Sequence, residues 1–205
     1  SVFSITNQKG FVSSKEYFSK IVFSKNLKNY KIVNENELGY NPSRINVGSI
    51  ALFKNKKKGV VSPIYVLFKC SSELNPNYLL YFLKSYQGNQ KIINSTQGSV
   101  RDSVPFKNLQ KIYFAKPSLS EQEKIVRILS NLDNLLERNN QIIAQIQQIK
   151  KGLIQKFMTK GIGHSKFKKV NWLFEKQILI PEKSNILTLK HLLLDVKYGT
   201  SKKSN

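Results

Sequence analysis

The sequence predicts an α+β protein: an N-terminal α/β module, then a long projecting helix of coiled-coil character, then a short C-terminal piece. Three observations predict it. Residues 120–160 hold helix-forming sequence with no proline and a single glycine, Gly152. Runs rich in β-branched and aromatic residues precede that stretch, at 47–53 and 60–68. Turn and cap signals separate these segments, first at 54–59 and then at Asn75-Pro76.

In the module, 47–53 and 60–68 read as strands because Val, Ile, Tyr and Phe suit a pleated, half-buried surface. The intervening 54–59 reads as a hairpin turn carrying Lys54, Lys56, Lys57 and Lys58 at its tip. Asn75 is placed to cap a short amphipathic helix through Tyr78, Leu79, Phe82 and Leu83, with Pro76 at the first helical position that tolerates it. Ile112-Tyr113-Phe114 reads as a closing strand, and Tyr40, Tyr65 and Tyr113 as core side chains. Cys70 is the one cysteine, which excludes an internal disulfide and suits a reducing, cytoplasmic setting. At the end of an apolar run it reads as a buried structural thiol rather than a nucleophile.

The long helix is expected to start at Ser120, with Ser120 as N-cap and Glu123 completing a capping box, after Pro117-Ser118-Leu119 breaks the preceding chain. Glu121 and Glu123 place negative charge at the positive end of the helix dipole. A helix of this length rises on the order of 60 Å, too long for an ordinary core helix in 205 residues. Apolar residues recur on a seven-residue period in three lines. One runs Ile125, Leu132, Asn139, Ile146, Leu153; the second Ile128, Leu135, Ile142, Ile149; the third Leu129, Leu136, Ile143. The stripe is wider than a two-stranded seam, so the helix is expected to meet more than one neighbour. Asn139 interrupts the first line, either as a register-setting polar residue or as a tolerated surface one. Lys156 and Lys160 followed by Gly161 and Gly163 mark the stop.

From 164 the chain has a lysine-rich start, an apolar segment at 186–196, and then Tyr198-Gly199-Thr200-Ser201. This piece is expected to be poorly packed by itself. With Ser rather than Met at position 1, both ends read as cut.

The formal charge is +22, from 34 basic against 12 acidic residues, which points to an acidic polymer as partner. Richness in Lys, Asn and Ile with only four arginines (Arg44, Arg101, Arg127, Arg138) is also what an AT-rich genome yields without selection for binding. Neither an 18-residue apolar run nor a signal-peptide pattern is present in these residues, so no membrane span is expected. For base reading, Arg and Lys pair with guanine and Asn and Gln with adenine, while Lys and Ser suit phosphates. The candidates are Arg44 and Asn46 in a loop before a strand, the Lys54, Lys56, Lys57, Lys58 tip, and Gln97, Ser99 and Arg101 in a loop before Pro105. Arg44 and Arg101 are preferred; against each stands a solvated charge or an internal ion pair.

The run Leu119-Ser120-Glu121-Gln122-Glu123-Lys124-Ile125, the helix after it, and Lys150-Lys151-Gly152-Leu153 through Lys160-Gly161 resemble the central region of specificity subunits of type I restriction-modification systems. Upstream, Tyr40-Asn41-Pro42-Ser43-Arg44-Ile45-Asn46-Val47-Gly48-Ser49-Ile50 and Gly59-Val60-Val61-Ser62-Pro63 to Phe68 resemble the distal half of a target-recognition domain. Leu189 with Val196-Lys197-Tyr198-Gly199-Thr200-Ser201 resembles the opening of the next one. The resemblance implies an incomplete recognition domain at 1–118, the conserved spacer helix at 119–161, and a linker with the truncated start of a second domain at 162–205. It also implies a non-catalytic role: one half of a split DNA site is read, and the helix docks methyltransferase (modification) subunits and, through them, the restriction subunit. The helix would pair with the second helix of a full-length subunit or with a second copy, its length setting the spacer between half-sites.

An enzyme reading finds little support. Asn75-Pro76-Asn77-Tyr78 is like the Asn-Pro-Pro-Tyr signature of adenine methyltransferases, but its third position is Asn and no glycine-rich cofactor turn follows an early strand. The acidic residues are scattered, His164 reads as solvated and His191 as half-buried, and no catalytic, metal or cofactor site is expected. Two further readings remain open: a half-length or remnant module that pairs helix to helix without specific DNA binding, and an unrelated basic nucleic-acid-binding protein.

Overall fold

The computed structural model describes residues 1–95, 103–171 and 177–194. It forms two compact units, Ser1–Asn134 and Leu135–Asn205, whose boundary falls within the long helix.

The first unit opens with a hairpin, β1 (Val2–Thr6) and β2 (Gly10–Ser13), followed by one helical turn, α1 (Ser14–Tyr17). Short strands follow: β3 (Lys31–Val33), β4 (Leu38–Tyr40), β5 (Ile50–Leu52), β6 (Gly59–Val61) and β7 (Val66–Phe68). They form two sheets, a four-stranded one in the order β2-β1-β6-β3 and a three-stranded one in the order β5-β4-β7. In the first, β1 runs parallel to β6, and the other neighbours are antiparallel. In the second every pairing is antiparallel. Helices α2 (Pro76–Lys84), α3 (Tyr86–Asn94) and α4 (Phe106–Leu109) complete the module before α5 (Leu119–Lys160) begins.

Two apolar clusters hold the unit together. Tyr40, Ile45 and Ile50 from the β4–β5 region bury against Leu83, Ile92, Val104 and Leu109. Val33, Phe53 and Val61 form the second cluster, with Phe3, Phe11, Tyr65 and Leu67 packed around it. Phe53 takes both Phe3 and Phe11 edge-on, at centroid distances of 5.0 and 5.1 Å.

Several sequence expectations are corrected here. The run 60–68 is not one strand: β6 and β7 belong to different sheets. Pro63 has no N–H for a ladder, and Tyr65 N–H turns back to the Ser62 carbonyl at 3.1 Å. The run 47–53 is a strand only from Ile50, because Ile45–Val47 forms a 3-10 turn. Since β5 and β6 lie in different sheets, 54–58 is a connection between sheets and not a hairpin tip. Ile112-Tyr113-Phe114 forms no strand, and Tyr113 is 88% exposed rather than core. Cys70 is only half-buried, although burial still raises its thiol pKa.

Helix α5 starts at Leu119, with its cap two residues earlier than expected. Its cap is Ser118, whose Oγ accepts the Glu121 N–H at 3.3 Å while its carbonyl accepts the Gln122 N–H at 3.0 Å. Ser118 and Glu121 have the same capping spacing as Ser120 and Glu123, and the pair beside Pro117 wins because the chain before it cannot be helical. The helix stops as expected: Gly161 sits at φ +65° and its N–H bonds the Phe157 carbonyl at 3.0 Å.

In the second unit, α5 is followed by an antiparallel pair that the sequence reading missed, β8 (Phe167–Asn171) and β9 (Gln177–Pro181), in register Phe167↔Pro181 to Asn171↔Gln177. The lysine-rich start of the C-terminal piece is therefore strand, with Phe167, Lys169 and Asn171 on its more open face. Of the apolar segment at 186–196, the described part stays open: Leu187, Leu189, Leu192 and Leu193 are each more than half exposed. His191 is exposed rather than half-buried, and its Nδ1 lies 2.5 Å from Thr188 Oγ1. His164 is exposed, as expected.

Candidate nucleic-acid interface and helix face

The loop 41–49 between β4 and β5 is built almost entirely from its own backbone. Asn41 Oδ1 accepts the Ser43 N–H at 3.1 Å, and the Asn41 carbonyl accepts the Arg44 N–H at 3.0 Å. Asn41 N–H bonds the Ser49 carbonyl and Ser49 N–H the Arg44 carbonyl, each at 3.0 Å. Gly48, at φ +90°, closes the 3-10 turn by donating to Ile45 O at 2.9 Å. Ile45, 1% exposed, plugs the loop into the core. Outside ties fix it further: Val104 N–H donates to the Pro42 carbonyl at 2.9 Å, and Ser49 Oγ donates to Ile5 O at 3.2 Å. The result presents Arg44 exposed and Asn46 half-buried on a rigid loop, the arrangement that recognition residues need.

A second turn lies beside it. Thr6 Oγ1 accepts Lys9 N–H at 3.0 Å and donates to Gly10 O at 3.2 Å, holding Asn7, Gln8 and Lys9 exposed at the β1–β2 tip. A methyl group built on Gly48 would lie 4.0 Å from Asn7 Cβ, so the two turns are neighbours. Sequence reasoning missed Asn7, Gln8 and Lys9. The signal was there: a polar Thr6-Asn7-Gln8-Lys9-Gly10 stretch between two apolar runs is a hairpin signature.

The lysines do not join this patch. Arg44 and Asn46 precede β5 whereas Lys54, Lys56, Lys57 and Lys58 follow it, so the two groups occupy opposite ends of one strand. All four lysines are exposed, and Lys57 N–H turns onto Asn55 Oδ1 at 3.0 Å. Lys54 lies near Lys84, whose pKa is lowered first by burial and then by the Lys54 charge, while Asp133 pulls it back up. Gln97, Ser99 and Arg101 lie outside the described residues.

Asn75 is a helix cap. Its Oδ1 accepts N–H groups from Asn77 and Tyr78 at 2.9 and 3.4 Å, leaving no free carbonyl to hold a base. Tyr78 is tied down as well, donating to the Ala115 carbonyl at 3.3 Å.

The first turns of α5 lie against the module through one face: Gln122, Ile125, Val126, Leu129, Ser130 and Asp133. Gln122 is fully buried, and Asp133 accepts a 2.6 Å hydrogen bond from Tyr81, whose pKa is raised chiefly by burial and then by that bond. Ile125 and Leu129, counted with the pairing stripe from the sequence, are thus half-buried within their own unit. The rest of the stripe is uncovered: Ile128, Leu132, Leu135, Leu136, Ile142, Ile143, Ile146, Ile149 and Leu153 are 42–62% exposed. Asn139 is exposed among them.

The first unit is thus a sheet-based module that displays amide and guanidinium groups on tied loops and continues into a helix with an open apolar stripe. A family model of the type I restriction modification DNA specificity domain matches residues 4–148. The chain belongs to that family. It is 32% identical over 169 residues to the type I restriction enzyme MjaVIII specificity subunit of Methanocaldococcus jannaschii, covering 82% of this chain and 37% of that protein. It is also similar to the HsdS subunit from Thermoanaerobacter tengcongensis, with TM-score 0.49 and 17% identity over 69% of this chain and 38% of that one. A chain from a study of complex assembly and conformational transition of the type I R-M system aligns with TM-score 0.44 and 18% identity, over 62% of this chain and 31% of that one. The chain therefore spans well under half the length of these relatives. Specificity subunits of type I systems are non-catalytic, catalysis lying in other subunits. No described helix is long and apolar enough to cross a membrane, and no described group of three or more His, Cys, Asp or Glu could hold a metal ion.

Proposed function

We propose that this chain is a DNA-recognition and scaffolding part of a type I restriction-modification specificity subunit, acting in the cytoplasm on double-stranded DNA. Residues 1–118 act as the distal part of one target-recognition domain, 119–161 as the spacer helix, and 162–205 as the link into a second recognition domain. The observation that supports this is the pairing of a hydrogen-bonded loop exposing Arg44 with a helix whose apolar stripe is left open. Arg44 offers guanine a planar fork, Asn46 and the neighbouring Asn7 and Gln8 offer adenine amides, and the exposed lysines contact phosphates. The stripe on α5 buries against a partner helix, supplied by the full-length subunit or a second copy, and against methyltransferase subunits. Methyl transfer from S-adenosylmethionine and ATP-dependent cleavage belong to the other subunits. The test is co-purification of the tagged chain with the methyltransferase subunit encoded nearest to it, at high salt to suppress charge-driven association. A stable complex is expected; a soluble, helical chain that captures no such subunit would sink this reading.

A further inference from the structure

Among the described residues the buried polar side chains are Ser14, Ser49 and Gln122, and Gln122 is the only amide. It sits at the first turn of α5, 0% exposed, with its hydrogen-bonding groups engaged. Nε2 donates to the Glu73 carbonyl at 3.2 Å and to the Pro117 carbonyl at 2.9 Å, while Oε1 accepts the Asn75 N–H at 2.9 Å. Two donors and one acceptor thus meet backbone atoms from two separate stretches of chain, one leading into α2 and one leading into α5. The Asn75 N–H is given to Gln122 while the Asn75 side chain caps α2, so one residue joins the start of α2 to the start of α5. A tilt of α5 that separates Gln122 from these carbonyls and this N–H leaves a buried amide without its partners, and such a loss is costly. A plain apolar contact would slide; this amide holds one geometry.

One fixed point sets a position but not a direction. The second point is Asp133, three turns further along the same face, held by the Tyr81 hydroxyl at 2.6 Å. Tyr81 lies near the far end of α2, so α5 is tied at both ends of that helix.

We propose that Gln122 is the positioning residue that fixes the direction in which α5 leaves the module. Through that direction it sets the distance between the half-sites read by the assembled subunit, a consequence that rests on the function proposed above. Gln122 touches no DNA in this scheme and acts only through the helix.

The test uses the full chain with Cys70→Ser and nitroxide labels at Lys91→Cys on α3 and Asn134→Cys on α5, both exposed positions. Pulsed electron-electron distances are compared for native Gln122, Gln122→Leu and Tyr81→Phe. In parallel, methylation by the assembled complex is measured on DNA whose half-site spacer varies by single base pairs. The Leu variant should broaden the distance distribution at least twofold. It should also relax the preference for the native spacer by about tenfold, the scale on which one buried hydrogen-bonded group acts. Tyr81→Phe, which disturbs no buried group, should broaden the distribution less and covers the case in which Gln122→Leu does not fold. Distributions as narrow as the native one in the variants that fold would overturn the proposal. Broadened distances with unchanged spacer preference would instead remove the link to half-site spacing, and with it the ruler reading of α5, while the hydrogen-bonded joint stands.

Discussion

Tyr40 joins a core to the Arg44 loop with one side chain. Its ring is 0% exposed in the larger apolar cluster, and its hydroxyl donates to the Val104 carbonyl at 3.0 Å. Val104 in turn donates its N–H to Pro42 at the start of the Arg44 loop. Removing the hydroxyl with Tyr40→Phe leaves the Val104 carbonyl buried and without that donor, at a cost of about 1–3 kcal/mol in urea unfolding. Burial pushes the Tyr40 pKa up to about 12 from an ordinary 10.0. The raised value means that the unfolded chain loses this proton first. The contribution is fully present below pH about 10 and declines by about 1.4 kcal/mol per unit until the folded group ionises near 12. Urea unfolding between pH 9 and 12 measures it, and the decline should be shallower in Tyr40→Phe, Tyr81 and Cys70 with their raised values keeping a part of it. For Arg44 the prediction follows from the proposed base contact. Arg44→Ala should lower methylation of the native site by the equivalent of about 1–3 kcal/mol with an unchanged melting temperature, and Arg44→Lys should not restore it, since a point charge cannot replace a planar fork.

Elements with one strong period were legible in the sequence; short ones were not. Helix α5 announced itself through 42 residues of sustained apolar repeat and a glycine stop, and α2 through Asn75-Pro76. The strands from β3 to β7 are three residues each, too short for alternation to show, and β6 parts from β7 at Pro63, a single residue inside an apolar run. The strand β8 was hidden because lysines sit within it. In the candidate site, Arg44 was legible as a loop residue, but Asn7 was not, because its approach to Gly48 of the same loop comes from long-range packing of β1. Gln122 was hidden most completely, since its backbone partners include groups 47 and 49 residues away. At this scale α5 yields a prediction of its own. A methyl group on Gly152 would meet nothing within 4 Å, so Gly152→Ala should stabilise the helix by about 0.5–1 kcal/mol, seen as a higher circular-dichroism melting temperature. An unchanged or lower value would show that position 152 is closely covered by a partner chain.

For the whole molecule, length and phase along α5 can be separated, because each inserted residue adds about 1.5 Å and about 100° of rotation. Four residues inserted after Gln141, in the complete subunit, add about 6 Å and return the stripe to within about 40° of its original direction. Pairing should survive, and the preferred spacer in methylated DNA should lengthen by about two base pairs at about 3.4 Å each. A full heptad adds about 10.5 Å, leaves the stripe about 20° off, and should lengthen the spacer by about three base pairs. Two residues add only about 3 Å but turn the stripe by about 200°, away from its partner. That insertion should abolish methylation even though its change in length is the smallest of the three. The insertion point falls between two exposed apolar pairs of the stripe, Leu135 with Leu136 before it and Ile142 with Ile143 after it, so a break in phase turns one pair away from the face that the other keeps. If methylation falls steadily with inserted length, α5 acts only as a tether. If the spacer stays fixed while the four-residue and heptad insertions remain active, the distance between half-sites is set elsewhere and α5 is not the ruler.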